Sequence, residues 1–322
     1  GGGFAGAAAA IAAARAGASV ILIEKSNALG GAANICLVNP FMPYKTKIDG
    51  KEVALSAGIF SEIHERLEAR GAMRGETFLE EELKYVMSEM VAEAGISLLY
   101  HAYIFKAHKD GERITAVSVA TKQGEVVIEA DYFIDATGDA QLAFLSDCPT
   151  VLGRESDNLC QPMTLCFRVG NADVEKFYAS KPKLAEAHKK ALEAGELINP
   201  RENVLCFRNY NNGVIHFNTT RVTHKSPTDP FALTEAEIEA REQVFEMMEF
   251  LRTAVAGCEN ARLLSTAMHI GIRESRKIVG EYTLTVEDLK SLARFEDAIA
   301  TANYDIDIHS PTGAGTSHYY FP

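Results

Sequence analysis

No two of the six cysteines (Cys36, Cys148, Cys160, Cys166, Cys206 and Cys258) form a CxxC pair or stand at a metal-ligand spacing, so a metal site is not expected. They read as reduced thiols of a cytoplasmic protein, most of them acting as small buried hydrophobes. A run of about 18 apolar residues is also missing, because Arg15 and Glu24 interrupt the most apolar stretch, and a membrane-spanning helix is not expected. The alanine-rich opening has no basic region before it and starts on glycines, unlike a secretion signal. Positive charge is scarce: 32 Lys+Arg against 44 Asp+Glu leave a net charge of −12, which repels phosphate backbones, so nucleic acid is not an expected partner. HExxH, GxSxG and acidic metal clusters are absent, which leaves metal-assisted hydrolysis and serine hydrolase chemistry without support.

What is present is glycine in a particular order. Gly1, Gly3 and Gly6 fit G-x-G-x-x-G, good helix formers run from Phe4 through Ala5 to Ala16, and Gly17 follows as a helix C-cap. SVILIE (Ser19–Glu24) then reads as a parallel strand buried on both faces. In such a unit the glycines allow a tight turn, a close approach of backbone N–H groups to a pyrophosphate, and close packing of helix on strand. The helix N-terminus adds partial positive charge. Glu24 ends the strand 18 residues after Gly6, where a carboxylate accepts hydrogen bonds from a ribose and disfavours a 2′-phosphate. FAD and NAD share this fingerprint.

Two further stretches bear on the choice. In EKSNALGGAAN, Gly30 and Gly31 follow Glu24 and Lys25 closely. In ADYFIDATGDAQLA, a strand expected over Tyr132 to Asp135 runs into Ala136-Thr137-Gly138-Asp139 and then a helix. Through these motifs, and through QPMTL and GIRESRKIVGEYTL, the whole chain resembles the FAD-dependent oxidoreductases with a glutathione-reductase-like flavin domain. The resemblance implies FAD as cofactor, with Glu24 on the adenosine ribose, Gly30 and Gly31 along the cofactor, the Ala136–Asp139 turn near the diphosphate, and backbone near Ile104 at the adenine. It further implies a first strand before Gly1 and a flavin-lining segment after Pro322, so the chain reads as a piece of a longer flavoprotein with an open groove beside SVILIE. Disulfide reductases of this fold carry two redox cysteines after the GG pair. Here Cys36 stands alone, which excludes a dithiol relay.

At 322 residues, 47% of them hydrophobic, the chain is long enough for two domains. The expected fold is α/β: a doubly wound, Rossmann-like FAD-binding domain over residues 1–150, an α+β substrate or cap domain over 151–260, and a return to the first domain over 261–322. Within the first, KEVALSAGIFSEIHERLEARGA and FLEEELKYVMSEMVAEAG show helical periodicity. ISLLY reads as a strand, and YIFKAH, RITAVSVATK and EVVIEA as an inserted antiparallel sheet. MTLCFRVG, NVLCFRN and GVIHFNTTRV read as a second, mainly antiparallel sheet, with helices over VEKFYASKPKLAEAHKKALEAG and TEAEIEAREQVFEMMEFLRTAV.

The expected reaction passes a hydride between a small organic substrate and the flavin, the cofactor supplying the redox chemistry. Three residues are candidates for the catalytic cleft. Arg273 can fork a carboxylate or stabilise a reduced flavin, unless it simply pairs with Glu274 or another acid. His309 and His318, in a Gly-rich polar segment, can carry the accompanying proton. His216 and Arg221 are five residues apart and cannot both face one side of a regular strand. An NAD-dependent dehydrogenase and a flavoprotein that modifies tRNA are the competing readings, the second opposed by the net charge.

Overall fold

The computed structural model describes residues 1–299, 301, 304, 306–313 and, as backbone, 316–319. The glycine turn leads into α1 (Phe4–Arg15), whose alanines let it lie close to β1 (Ile21–Ile23). A single turn, α2 (Ala32–Ile35), follows the GG pair. Next come a hairpin of β2 (Lys45–Ile48) and β3 (Lys51–Ala54), α3 (Ile59–Ala69), a small hairpin of β4 (Met73–Arg74) and β5 (Thr77–Phe78), α4 (Glu80–Glu93) and β6 (Ser97–Leu99). β6 pairs in parallel with β1, Ile21 opposite Ser97 and Ile23 opposite Leu99, so everything between them is a crossover connection. Ile11, Leu29, Leu67, Leu83 and Met87 fill the core that α1, α3 and α4 share.

β7 (Tyr103–Asp110), β8 (Arg113–Thr121) and β9 (Gly124–Glu129) form a three-stranded antiparallel sheet in chain order. α5 (Gln141–Leu145) follows the Ala136–Asp139 turn, and β10 (Thr150–Leu152) leads out of this half.

The second half has its own core. β11 (Phe167–Gly170), α6 (Val174–Glu193), β12 (Cys206–Arg208), β13 (Ile215–Phe217), α7 (Pro230–Ala254) and β14 (Arg262–Thr266) are followed by β15 (Arg276–Ile278), α8 (Val286–Lys290), β16 (Ile306–His309) and β17 (Thr316–Tyr319). Four strands make an antiparallel sheet in the order β12-β13-β11-β14, and β15 pairs with β10. Phe167 and Phe217 stand opposite each other in register and stack at 5.0 Å. α7 starts at Pro230 because Asp229 Oδ1 accepts the Ala232 N–H at 2.8 Å and proline suits the first helical turn. It buries Ala236, Ala240, Val244, Met247 and Leu251, spaced to fall on one face.

Three expectations need correction. KEVALSAGIFSEIHERLEARGA is helical only from Ile59. Its first four residues are β3, since Asp49 and Gly50 turn the chain with φ of 50° and 77°, the left-handed pair that closes a two-residue hairpin. SVILIE contributes three residues to a strand rather than six. The strand expected over Tyr132 to Asp135 is not formed: among the described residues no backbone pairs with it, and Tyr132 and Ile134 are exposed. Between that segment and β1 runs a groove of about 600 Å³ with apolar walls that include Ile21, Ile23, Val117 and Phe133, where the sequence led us to expect one. No helix among the described residues is long and apolar enough to cross a membrane.

Candidate functional site

The three glycine-bearing stretches meet. The Gly30 N–H donates to the Gly2 carbonyl at 2.9 Å, laying the GG pair against the first turn. A Cβ at Gly31, where φ is +50°, would come 3.0 Å from the Gly3 Cα. A Cβ at Gly6 would collide with the Gly1 carbonyl oxygen. The glycines therefore let the turns pack backbone to backbone where side chains would collide, the close approach that a dinucleotide-binding turn uses.

Glu24 is buried beside the first turn. Its Oε2 accepts the Gly2 N–H at 2.6 Å, and its Oε1 accepts the Ser26 N–H at 2.8 Å and the Ser26 hydroxyl at 2.6 Å. Burial alone would raise its pKa, but these hydrogen bonds outweigh burial and hold the carboxyl below its ordinary value. On the third stretch Asp135 plays a similar part. Its carboxylate accepts the Thr137 N–H at 3.0 Å, the Thr137 hydroxyl at 2.7 Å and the Ala143 N–H at 3.0 Å, tying the Ala136–Asp139 turn to α5. Burial is again outweighed and the Asp135 pKa lies below normal.

A small cavity is walled by Gly1, Glu24, Lys25, Ile104, Thr137 and Asp139, with Lys25 Nζ 3.8 Å from Asp139 Oδ2. Ile104, assigned to the adenine by resemblance, thus shares a cavity with residues of the first and third stretches. Phe4 packs edge-on against Phe41, their ring centres 6.0 Å apart, and Ala5 is exposed. Cys36 is partly buried behind the GG pair, its Sγ 3.7 Å from the Ile270 carbonyl oxygen. Burial pushes its thiol up to about 11.

On the far side of the third turn a cleft of about 950 Å³ opens between Gly138 and the chain around Arg273, with Gln161 and His309 also on its walls. Arg273 does not pair with Glu274. That carboxylate takes the Gln161 N–H at 2.9 Å on Oε2, while its Oε1 binds Lys277 Nζ. His309 is buried: Arg221 donates to Nδ1 at 3.1 Å, and Nε2 lies 3.4 Å from Asp307 Oδ1 with no hydrogen bond between them. Burial, then the neighbouring Arg273, pushes its pKa down to about 4, so the ring is neutral at pH 7. Held this way at Nδ1, it orients Arg221. The His318 backbone pairs with Asp307 across the β16–β17 hairpin. Its side chain lies outside the described residues, as do Ala314 and Gly315 of the same Gly-rich segment.

Arg221 and His216 part company. His216 is buried in β13 opposite Arg168, whereas Arg221, past the strand end, joins Arg201 and His309. Two participants were not singled out from sequence. Gln161 binds Glu274 through its N–H and accepts the His309 N–H on Oε1 at 3.1 Å, linking two walls of the cleft. Its only signal was its place at the head of QPMTL. Arg201 sits in an irregular stretch whose sequence carries no periodic signal.

A family model described as FAD dependent oxidoreductase matches residues 1–321. No curated protein matches the chain. Among solved structures it is similar to a geranylgeranyl bacteriochlorophyll reductase-like protein from Thermoplasma acidophilum, at 14% identity over 87% of this chain and 65% of that one, with a TM-score of 0.50. It is also similar to p-nitrophenol 4-monooxygenase from Pseudomonas putida, at 11% identity over 87% and 67% of the two chains, with a TM-score of 0.49. At 14% identity the likeness to the first of these is one of mixed α/β fold. The chain spans about half the length of other solved structures that it matches, 52% and 53% in two of them.

Proposed function

We propose that this chain, which belongs to the FAD-dependent oxidoreductase family and binds FAD, exchanges a hydride between the cofactor and a small organic substrate in the cleft beside Gly138. The observation that carries this reading is the convergence of the turns at Gly1–Gly6, Gly30–Gly31 and Ala136–Asp139, the last of which also lines that cleft through Gly138. Bound flavin supplies an acceptor or donor for two electrons and a hydride. The chain's own residues do the rest. Glu24, with its pKa held down, presents a carboxylate to ribose hydroxyls, and the backbone of the first turn and α1 faces the diphosphate. Asp135 fixes the third turn through Thr137. Arg273 stands at the cleft to orient the substrate, and His318 is the proposed proton carrier, with His309 committed through Nδ1 to Arg221.

The pairing of β15 with β10, and a β1 edge along the apolar groove that no strand meets among the described residues, support a reading of residues 1–150 and 261–322 as one flavin domain and 151–260 as its cap. The test is anaerobic titration of the flavin-loaded protein with hydroxy acids, amines, sugars and steroids. Bleaching of the flavin by one class identifies the reducing substrate. A flavin that none of them bleaches and that reduced nicotinamide cannot reduce contradicts hydride exchange.

A further inference from the structure

Behind Arg273 lie two more guanidinium groups. Arg221 is 2% exposed and Arg201 6%. Arg221 donates to the Gly313 carbonyl at 3.0 Å, to His309 Nδ1 at 3.1 Å and to Glu202 at 3.3 Å. Arg201 donates from Nε to Asn203 Oδ1 at 3.0 Å, and its terminal N–H groups meet no acceptor among the described residues. Arg273 opens to the cleft and has neither a hydrogen bond nor an ion pair among them. The three are close enough to repel one another: burial, then Arg221 and Arg273, pulls Arg201 down to about 10.

Two acids, Glu202 and Asp307, face these three cations, and His309 is neutral, so among the described residues the cluster carries one uncompensated positive charge. Guanidinium donors that meet no acceptor beside a cleft are open to an anion, and the planar fork of arginine fits a carboxylate with two parallel hydrogen bonds. A singly charged anion neutralises the site, whereas a phosphate dianion would overshoot it. We propose that Arg273, backed by Arg201 and Arg221, binds a carboxylate of the substrate, so that the molecule oxidised or reduced beside the flavin is a carboxylic acid. This rests on the flavoenzyme reading above. His309 acts as a positioning residue, holding Arg221 in place, and Gln161 fixes the strand that bears it.

The test uses the flavin-loaded, full-length protein with succinate and benzoate, their uncharged amides, and inorganic phosphate, read by thermal shift and calorimetry. The carboxylates should raise the melting temperature and the amides should not. Arg273→Gln should weaken carboxylate binding at least about tenfold and Arg273→Lys less, with flavin absorbance unchanged in both. Because Arg273 is open to the cleft, these variants should fold where changes at Arg201 would be riskier. The proposal is overturned if neither carboxylate binds to the flavin-loaded protein, if phosphate binds and carboxylates do not, or if Arg273→Gln binds them as wild type does. Flavin absorbance judges the other reading separately: a colourless protein that still binds succinate through Arg273 keeps the anion site and removes the flavoenzyme.

Discussion

The guanidinium of Arg168 on β11 donates to the carboxylate of Glu80 at the start of α4, joining the second sheet to the core of the first half. Glu80 also accepts the Asn39 side-chain N–H at 2.7 Å and is almost wholly buried. Removing one partner of such a pair leaves the other charged and dry. Glu80→Ala should therefore destabilise the protein by about 3–5 kcal/mol. Urea unfolding should show this as a large drop in midpoint, and a loss below about 1 kcal/mol would mean that solvent reaches the pair.

Acid should loosen the second half before the glycine turns. Burial, then Arg168, pushes His216 down to about 3, and burial likewise lowers His188. A histidine whose folded pKa is depressed contributes stability that is complete above its unfolded value of about 6.5 and is lost as pH falls toward the folded value. The cost from His216 should reach on the order of 2–3 kcal/mol by pH 4. Neither His216 ring nitrogen has a hydrogen-bond partner among the described residues, so His216→Leu should be nearly neutral at pH 7 and should flatten the decline between pH 6.5 and 4. Equal acid sensitivity in variant and wild type would move the loss elsewhere.

Glu24 and Asp135 titrate lower. With both folded pKa values below normal, their contribution is present above about pH 4 and disappears as pH falls through the folded values. FAD should accordingly be released by acid in a window below pH 4, measured as free-flavin fluorescence after stepwise acidification. Release that is complete by pH 6 would point to a different group.

Cys36 should be inert. Its thiol is pushed up to about 11 by burial, so little thiolate exists at pH 7, while Cys148 is exposed. Iodoacetamide followed by peptide mapping should find Cys148 labelled first and Cys36 protected until unfolding. Early labelling of Cys36 would revive a thiol role beside the cofactor.

The glycine turns were legible because their chemistry is local. Gly1, Gly3 and Gly6, then Gly30 and Gly31, announce close backbone approach by residue type alone, and the structure brings these stretches together. Strand extent was less legible. A strand needs a partner, and Tyr132–Asp135 has the apolar content but no paired neighbour among the described residues. The Asp49-Gly50 turn was there to be read, but the helical periodicity that begins at Ile59 was extended backwards across it. The arginine cluster was beyond reach. Arg201, Arg221 and Arg273 come from three separate segments, and nothing in the spacing of one predicts the others.

The central claim is that FAD sits at the glycine turns whose acidic corner is Glu24. Its most direct test is titration of the full-length apoprotein with FAD, comparing wild type, Glu24→Ala and Gly6→Val by calorimetry. Wild type should bind FAD, and Glu24→Ala should lose about 1.5–3 kcal/mol of binding, the scale of hydrogen bonds to a charged group. The Glu24→Ala melting temperature should also fall, since the Gly2 and Ser26 N–H groups lose their acceptor. Gly6→Val should abolish binding through the collision of its side chain with the Gly1 carbonyl. Equal FAD affinity in all three proteins would contradict the account.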